Sequence, residues 1–367
     1  MVKSGNVSLP FRRILITGGA GFIGSRLAIH IRQIAPTCEV VVLDNLTRKG
    51  SSLNLGLLQD HGVEFIKGDI RNSADLAPID GDLIIACAAE PSVMAGINSS
   101  PRYVIETNLL GTLQSLEWAR ERGAAIYFFS SSRIYPLNHV GSIPVFEGET
   151  RFEWNAEESN FKKHLGRDGI KLGFPTDGVK SMYGTTKLSS EDLIREYAHS
   201  YDLPSMITRF GVVSGAGQMG QAQQGVLAFW AGKHFFEQSL VYKGFGGAGK
   251  QVRDFLPIED LCALVVKQLG QVPESRAVLY QAAGGRDFSV SLMELTKICQ
   301  EVTGNKVLIN SVAESHQNDL PILMLDSSTA RRDFDWEPTI TARDLVGRIY
   351  EWLVSNESAL RPIFCGS

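Results

Sequence analysis

Ile14-Leu-Ile-Thr-Gly18-Gly-Ala-Gly21-Phe-Ile-Gly24 sets three glycines at intervals of three residues between an apolar, β-branched run and an amphipathic segment. A strand that turns at once into a helix needs one glycine for the tight turn and another where a ligand must approach the backbone. A third lets helix and strand pack closely. The helix N-terminus created in this way favours a phosphate. The spacing alone would also suit a plain structural turn. Here it occupies the first strand–helix junction, and Val-Val-Leu-Asp44 ends the next strand 20 residues beyond Gly24. A carboxylate at that place suits the hydroxyls of an adenosine ribose, so the dinucleotide expected is NAD rather than NADP. Arg48 and Lys49 nearby keep the phosphorylated cofactor open.

The rest of the first half keeps the same alternation. Apolar runs at 13–17, 40–43, 63–66, 83–86 and 126–129 are separated by helix-like stretches such as 22–34 and 103–122, with a further helix at 183–201 and a strand at 205–209. Continuous apolar strands between helices predict a parallel sheet covered on both faces. Glycine-rich stretches at 211–225 and 244–249 read as loops, and beyond them the elements become shorter, with helices expected at 225–237, 258–269, 291–303 and 341–355. The fold class expected is α/β, a Rossmann-type doubly wound parallel sheet with a smaller, interleaved C-terminal substrate lobe. Residues 1–210 would form the dinucleotide-binding domain, with an insert at about 147–180. Residues 211–367 would form mainly the substrate lobe, with some segments returning to the first domain. A ligand crevice would lie between the lobes, at the carboxyl ends of the strands.

Charge and cysteine usage exclude several alternatives. With 36 Lys+Arg against 40 Asp+Glu and no basic tract longer than a pair, the chain is not expected to bind nucleic acid. No apolar run approaches the roughly 18 residues of a membrane helix. The segment Met1 to Phe11 has no signal-peptide apolar core, so no membrane association and a cytoplasmic location are expected. The five cysteines are scattered and include no Cys-x-x-Cys pair, and the seven histidines show no ligand spacing. Neither a disulfide framework nor a metal site is therefore expected. Trp118, Trp230, Trp336 and Trp352 fit apolar helix faces or their flanks and need no functional reading.

Ser131 lies just after the run at 126–129, and Tyr183-Gly-Thr-Thr-Lys187 opens a helix. Tyr and Lys four residues apart project from one helical face. An ammonium beside a phenol stabilises the phenolate, which can then take the proton of a substrate hydroxyl as hydride leaves the same carbon. A serine hydroxyl on that oxygen would stabilise the carbonyl that forms. A bare Tyr-x-x-x-Lys is common on ordinary helix surfaces; the glycine motif and the serine-bearing strand give it a chemical reading.

Together with Leu-Asp44-Asn-Leu and Lys250-Gln-Val-Arg253-Asp254-Phe, these segments resemble the extended short-chain dehydrogenase/reductases of the nucleotide-sugar epimerase/dehydratase class, over about residues 13–353. The resemblance implies tightly held NAD, a nucleotide-sugar substrate and a homodimer. It implies catalytic roles for Ser131, Tyr183 and Lys187. It also implies cofactor contacts from Gly18, Gly21, Phe22, Ile23, Gly24, Asp44, Asn45, Asp69, Ile70, Ala88 and Asn108, together with Tyr183 and Lys187. Asp69 at a strand end is equally suited to capping a turn, and Asn108 to being a buried helix residue satisfied by backbone.

Within that class the stretches Gly217-Gln218 to Gln224-Gly225 and Ala282-Ala-Gly-Gly-Arg286-Asp-Phe-Ser289, and the insert between serine and tyrosine, are similar to CDP-paratose 2-epimerases. Gly217 stands where those enzymes usually have Arg, Arg286-Asp-Phe replaces Arg-Glu-Asn, and Glu90 replaces a common Gln. Substrate contacts are expected from Ser131, Gln218, Gln224 and Arg253, the last as a clamp for the diphosphate; a structural Arg253–Asp254 pair is the other reading. Dehydratases of the class carry Asp-Glu directly after the catalytic hydroxyl residue, as acid and base for water elimination. Ser132 and Arg133 occupy those positions here. Epimerisation at C2 of a CDP-linked deoxyhexose is therefore the leading expectation. A UDP-sugar 4-epimerase or decarboxylase, and a non-catalytic NAD-binding scaffold, remain open beside it.

Overall fold

A computed structural model of the chain describes residues 7–97, 99–221 and 224–365. Met1–Asn6, and Ala222 and Gln223 of the glycine-rich loop, lie outside the described residues. The contacts divide the chain into two compact units. The first holds the residues up to Ser131 with Met182–Arg209 and Cys262–Leu279; the second holds Ser132–Ser181, Phe210–Leu261 and Tyr280 onward.

In the main sheet, β1 (Arg13–Thr17), β2 (Glu39–Asp44), β3 (Glu64–Lys67), β4 (Leu83–Ala86), β5 (Ala125–Ser131), β6 (Ser205–Phe210) and β7 (Ala277–Ala282) lie in the order β7-β6-β5-β4-β1-β2-β3. The pairs β2–β3, β1–β2, β1–β4 and β4–β5 are parallel. Ile14, Leu15 and Ile16 of β1 are wholly buried, each worth about 1.5–3 kcal/mol relative to exposure. This is the Rossmann-type α/β sheet expected from the alternation.

Helix α1 (Phe22–Ile34) follows β1. The stretch expected as one helix at 103–122 is interrupted: a short helix at Arg102–Ile105 passes into a π-helical turn at Glu106–Leu110, then α2 (Gly111–Arg122). A π-turn carries an extra residue and releases a carbonyl from the regular ladder. Here the carbonyl of Asn108 accepts from Thr112 Oγ1 at 2.7 Å and from Ser190 Oγ at 3.4 Å. Ser190 belongs to α3 (Met182–Ser200), the helix that carries Tyr183 and Lys187. No local periodicity announces such a turn.

The second unit has a four-stranded sheet built around Val252–Pro257, with Ser289–Ser291, Ile322–Leu323 and Val212–Ser214 as its partners. Val212–Ser214 falls in the stretch expected to be all loop. The helices Val226–Phe235, Leu292–Thr303 and Ala342–Ser355 pack around Leu227, Trp230, Leu295, Leu345 and Ile349. The insert groups with this unit, not with the dinucleotide-binding one. Arg151 donates to Glu294 and to the hydroxyl and carbonyl of Ser289, Phe152 N donates to Lys250 O, and Ile170 N donates to Met324 O. Glu294 also closes the capping box of helix Leu292–Thr303 with Ser291, so one carboxylate serves helix start and insert together.

Candidate active site

The glycine turn has the shape its spacing requires. Gly18 has φ +67°, and a Cβ there would lie 2.8 Å from Ala88 Cα and 2.9 Å from Ala88 N. A Cβ on Gly24 would lie 2.4 Å from Gly18 O, so any side chain at either position forces the loop apart. Gly21 differs: its Cβ would meet only Gly18 O, at 3.1 Å, leaving its other side open to a ligand. Gly21 is also the N-cap of α1 and provides no side-chain acceptor, so the first-turn amides of Phe22, Ile23 and Gly24 face outward without a cap. That is a fit for a dinucleotide diphosphate.

Asp44, at the end of β2, accepts from Ala20 N at 3.1 Å and from Leu46 N at 2.8 Å. Burial pushes its carboxyl upward, and these backbone amides oppose the shift. Asn45 donates to Asp69 Oδ2 at 3.0 Å, joining the end of β2 to the loop after β3. Asp69 is also gripped by Arg71, at 2.9 Å and 2.7 Å, which holds its carboxyl far below the usual range. Ile70 is buried, and Ala88 N donates to Thr17 Oγ1 at 3.3 Å. Arg48 Nη1 lies 3.9 Å from Glu90 Oε1.

Asn108 sits on the π-turn with its side chain engaged on every side. Its Oδ1 accepts from Glu90 N at 2.8 Å, and its Nδ2 donates to Glu90 O at 3.1 Å and to Thr186 Oγ1 at 3.1 Å. It therefore ties the loop after β4 to α3.

Ser131 is the last residue of β5 and is buried; Tyr183, on the first turn of α3, is half-buried. Lys187, one turn on, is wholly enclosed. Its Nζ donates to Phe129 O at 2.7 Å and lies 4.5 Å from the centroid of the Phe128 ring. Burial pushes its ammonium down to about 8, so it stays mainly protonated at neutral pH. The lysine binds the strand two residues before Ser131, which registers the tyrosine helix against the serine strand.

One further turn along α3 is a residue that sequence reasoning missed. Glu191 is wholly buried; Arg209 of β6 donates to it through Nε at 2.9 Å and Nη2 at 2.7 Å, and Ser130 Oγ donates to it at 2.5 Å. Its spacing of four from Lys187 was visible, but its partners lie 18 and 61 residues away.

Of the expected substrate residues, Ser131 belongs to the first unit, and Gln218, Gln224 and Arg253 to the second. Arg253 is half-buried and donates to Val252 O at 2.7 Å and to Leu320 O at 2.9 Å. Burial, with Arg133's charge beside it, pushes its guanidinium down to about 9. Asp254 accepts instead from Leu325 N at 2.8 Å and Gly285 N at 3.3 Å. Gln218 spends its amide on its own loop, accepting from Ser214 Oγ at 2.8 Å and donating to Val213 O at 3.0 Å. Gln224 leaves an enclosed Oε1 with no partner among the described residues. Gly217 has φ +92°, a backbone in which an arginine would be strained, so this loop has a geometry that glycine permits.

Comparison with known proteins agrees with this architecture. A family model described as "NAD dependent epimerase/dehydratase family" matches residues 14–162 and 167–283. The chain is 28% identical over 352 residues to CDP-paratose 2-epimerase of Salmonella typhi, covering 94% of this chain and 99% of that protein. It is 27% identical over 374 residues to dTDP-glucose 4,6-dehydratase of Salmonella typhimurium, covering 97% and 96%. Among solved structures, Pal from Bacillus thuringiensis superposes with a TM-score of 0.76 at 25% identity, covering 94% of this chain and 99% of that one.

Proposed function

The chain belongs to the NAD dependent epimerase/dehydratase family, and from that premise we propose that it epimerises a sugar nucleotide, at C2 of a CDP-linked deoxyhexose of the CDP-paratose/CDP-tyvelose type. NAD is the cofactor that membership brings. When bound, NAD would supply the acceptor and donor of hydride for the reacting sugar carbon. Gly18, Gly21 and the amides of Phe22, Ile23 and Gly24 hold its diphosphate, Asp44 and Asn45 its adenosine ribose, and Asp69, Ile70, Ala88 and Asn108 line its remaining length.

Tyr183, as phenolate, takes the proton of the hydroxyl on the reacting carbon. The Lys187 ammonium keeps that phenolate accessible near neutral pH and also reaches the cofactor ribose. Ser131 donates a hydrogen bond to the same oxygen as it becomes a carbonyl. The keto-sugar then turns its other face, and Tyr183 returns the proton as hydride comes back, so no net oxidation occurs. Arg253 and Gln224 serve the substrate, the first at its diphosphate and the second through its unpartnered amide oxygen; Gln218 supports the loop and contributes there.

The observation that carries epimerisation over dehydration is the pair Ser132-Arg133 directly after Ser131. Neither residue can serve as the carboxylic acid and carboxylate of a water elimination. The CDP-linked substrate is supported by the near full-length likeness to a CDP-paratose 2-epimerase and by the segments at 217–225 and 282–289. We also propose a homodimer, which light scattering on the purified protein will test.

The functional test is a panel of CDP-, UDP-, GDP- and dTDP-sugars, read by thermal shift and by product formation, with Tyr183→Phe alongside. A specific ligand raises the melting temperature by mass action, and CDP-linked sugars are expected to give the largest shift and the conversion. Tyr183→Phe should retain NAD and fold, while losing turnover by a factor on the order of a hundred or more. Near-native turnover in that variant would remove Tyr183 as the base. Stabilisation and conversion confined to UDP-sugars would move the assignment to the 4-epimerase or decarboxylase reading. Retained NAD with no conversion of any sugar nucleotide would leave the scaffold.

A further inference from the structure

Glu191 stands on the same face of α3 as Tyr183 and Lys187, at successive intervals of four residues, but one turn deeper. The wall opposite it is strand β5. Two adjacent residues of that strand are gripped by two successive turns of the helix: Phe129 O by Lys187 at 2.7 Å, and Ser130 by Glu191 at 2.5 Å. The next residue of the strand is Ser131. Arg209 of β6 completes the arrangement with a two-point contact to the Glu191 carboxylate, and Arg195 of α3 adds a third donor at 3.0 Å.

We propose that Glu191 is a positioning residue for the reaction: it fixes the serine strand against the tyrosine helix and holds the buried Arg209 guanidinium neutralised one turn below Lys187. This inference rests on the catalytic reading of Ser131, Tyr183 and Lys187 given above.

The electrostatic half follows from the groups that surround Lys187. Burial works against its charge, and the groups that favour the charge are Cys87, after β4, and Glu191. Cys87 is half-buried, and desolvation raises its thiol above the ordinary value. A thiol that stays protonated carries no charge at neutral pH, which leaves Glu191 as the anion that opposes the burial. The neighbouring elements offer neutral groups at this level: Asn108, Thr112 and Ser190 on one side, the Phe128 ring on the other. The remaining charged groups along α3 are Asp192, which pairs with Arg195, and Glu196, which accepts from Ser200 Oγ; Glu117 of α2 pairs with Arg120 and accepts from Tyr197. Removing the Glu191 charge also uncovers Arg209, so the change at Lys187 is from a neutral pair to a net cation. That net cation drives a proton off the lysine.

The experiment uses the full chain with isotope-labelled lysine side chains and follows the Lys187 resonance against pH, assigned by its loss in Lys187→Met. In Glu191→Gln, which keeps the shape and an acceptor for Ser130, the Lys187 midpoint should fall by roughly one pH unit. The alkaline limb of the pH–rate profile should move with it. Glu191→Gln combined with Arg209→Gln restores neutrality and should recover most of the shift; it also keeps the inference testable if the single variant folds poorly. A residue that only held the fold would lower kcat without moving either midpoint, and an unmoved Lys187 resonance in both variants overturns the proposal. Tyr183→Phe is assayed in parallel: if it remained fully active, the catalytic reading would fail whatever the lysine titration showed. If it were inactive while Glu191→Gln moved nothing, the Glu191 inference alone would fail.

Discussion

Arg209 and Glu191 in the first unit neutralise each other through a two-point contact, whereas Arg253 and Asp254 in the second, although adjacent in sequence, each turn to the backbone. Arg253 is solvated by the carbonyls of Val252 and Leu320, and Asp254 by the amides of Leu325 and Gly285. A partner of opposite charge cancels most of the field of a buried ion, while dipoles solvate it and leave the field in place. The second arrangement accordingly shows large shifts: burial pushes Asp254 up to about 7 and Arg253 down to about 9. The lesson is one of use. An internally cancelled pair suits a scaffold that must hold a strand and a helix in register, and an uncancelled guanidinium suits a residue meant to meet an anionic ligand.

The largest effect should come from breaking the cancelled pair. Arg209→Met takes the two-point partner from the wholly buried Glu191 carboxylate and leaves it only Ser130 and the partly exposed Arg195. Loss of one partner from such a pair costs about 3–5 kcal/mol, measurable by denaturant unfolding. Arg253→Met instead removes the donor to two carbonyls beside a half-buried side chain, at about 0.5–1.5 kcal/mol each, and its main effect should be on substrate affinity. Equal destabilisation by the two variants would erase the distinction.

The contrast also bears on what could be read from sequence. Gly18, Gly21 and Gly24 were legible because a strand–turn–helix with a close backbone approach is a local requirement, written in consecutive residues. Tyr183 and Lys187 were legible because a helix repeats its faces every three to four residues. The Glu191–Arg209–Ser130 cluster was not, since it assembles from one helix and two strands whose adjacency is decided by sheet order. The π-turn at Glu106–Leu110 escaped for a related reason: Asn108's carbonyl is held by Thr112 and by Ser190, a residue of another helix. Allegiance of the insert to the second unit depends on Arg151 meeting Glu294, 143 residues away. In the substrate loop, the likeness at Gln218 pointed to a ligand, and the structure gives its amide to Ser214 and Val213.

A smaller effect, with a definite sign, tests the backbone-solvated carboxylate. The folded pKa of Asp254, about 7, lies above the ordinary 3.8, so the protonated form favours folding. Below the lower value both folded and unfolded chains hold the proton. As pH rises from there to about 7 the unfolded chain releases it first, and stability falls; above about 7 the loss is complete. Asp254→Asn cannot titrate, so its stability relative to the parent should rise across this window by up to about 4 kcal/mol. Parallel stability curves for variant and parent would show that the folded carboxylate ionises at its ordinary value, not near 7.

The smallest effect concerns a backbone-solvated carboxylate in the first unit. Asp44 accepts from the amides of Ala20 and Leu46, which leaves its charge uncancelled for the ribose role proposed above. Asp44→Ala should weaken NAD roughly tenfold and narrow the preference over NADP, read by titrating both cofactors into protein stripped of nucleotide. Tighter binding of NADP than NAD by the unaltered chain would move the determinant to Arg48 or Lys49.

The central claim is that hydride leaves the sugar and returns within one turnover. It is tested most directly by following reduced-nicotinamide absorbance while the protein, as purified and with no cofactor added, converts its sugar nucleotide, and by extracting the cofactor afterwards. The account predicts product formation with NAD(H) still bound and no steady accumulation of NADH. NADH rising one for one with product would contradict it and make the chain a net dehydrogenase.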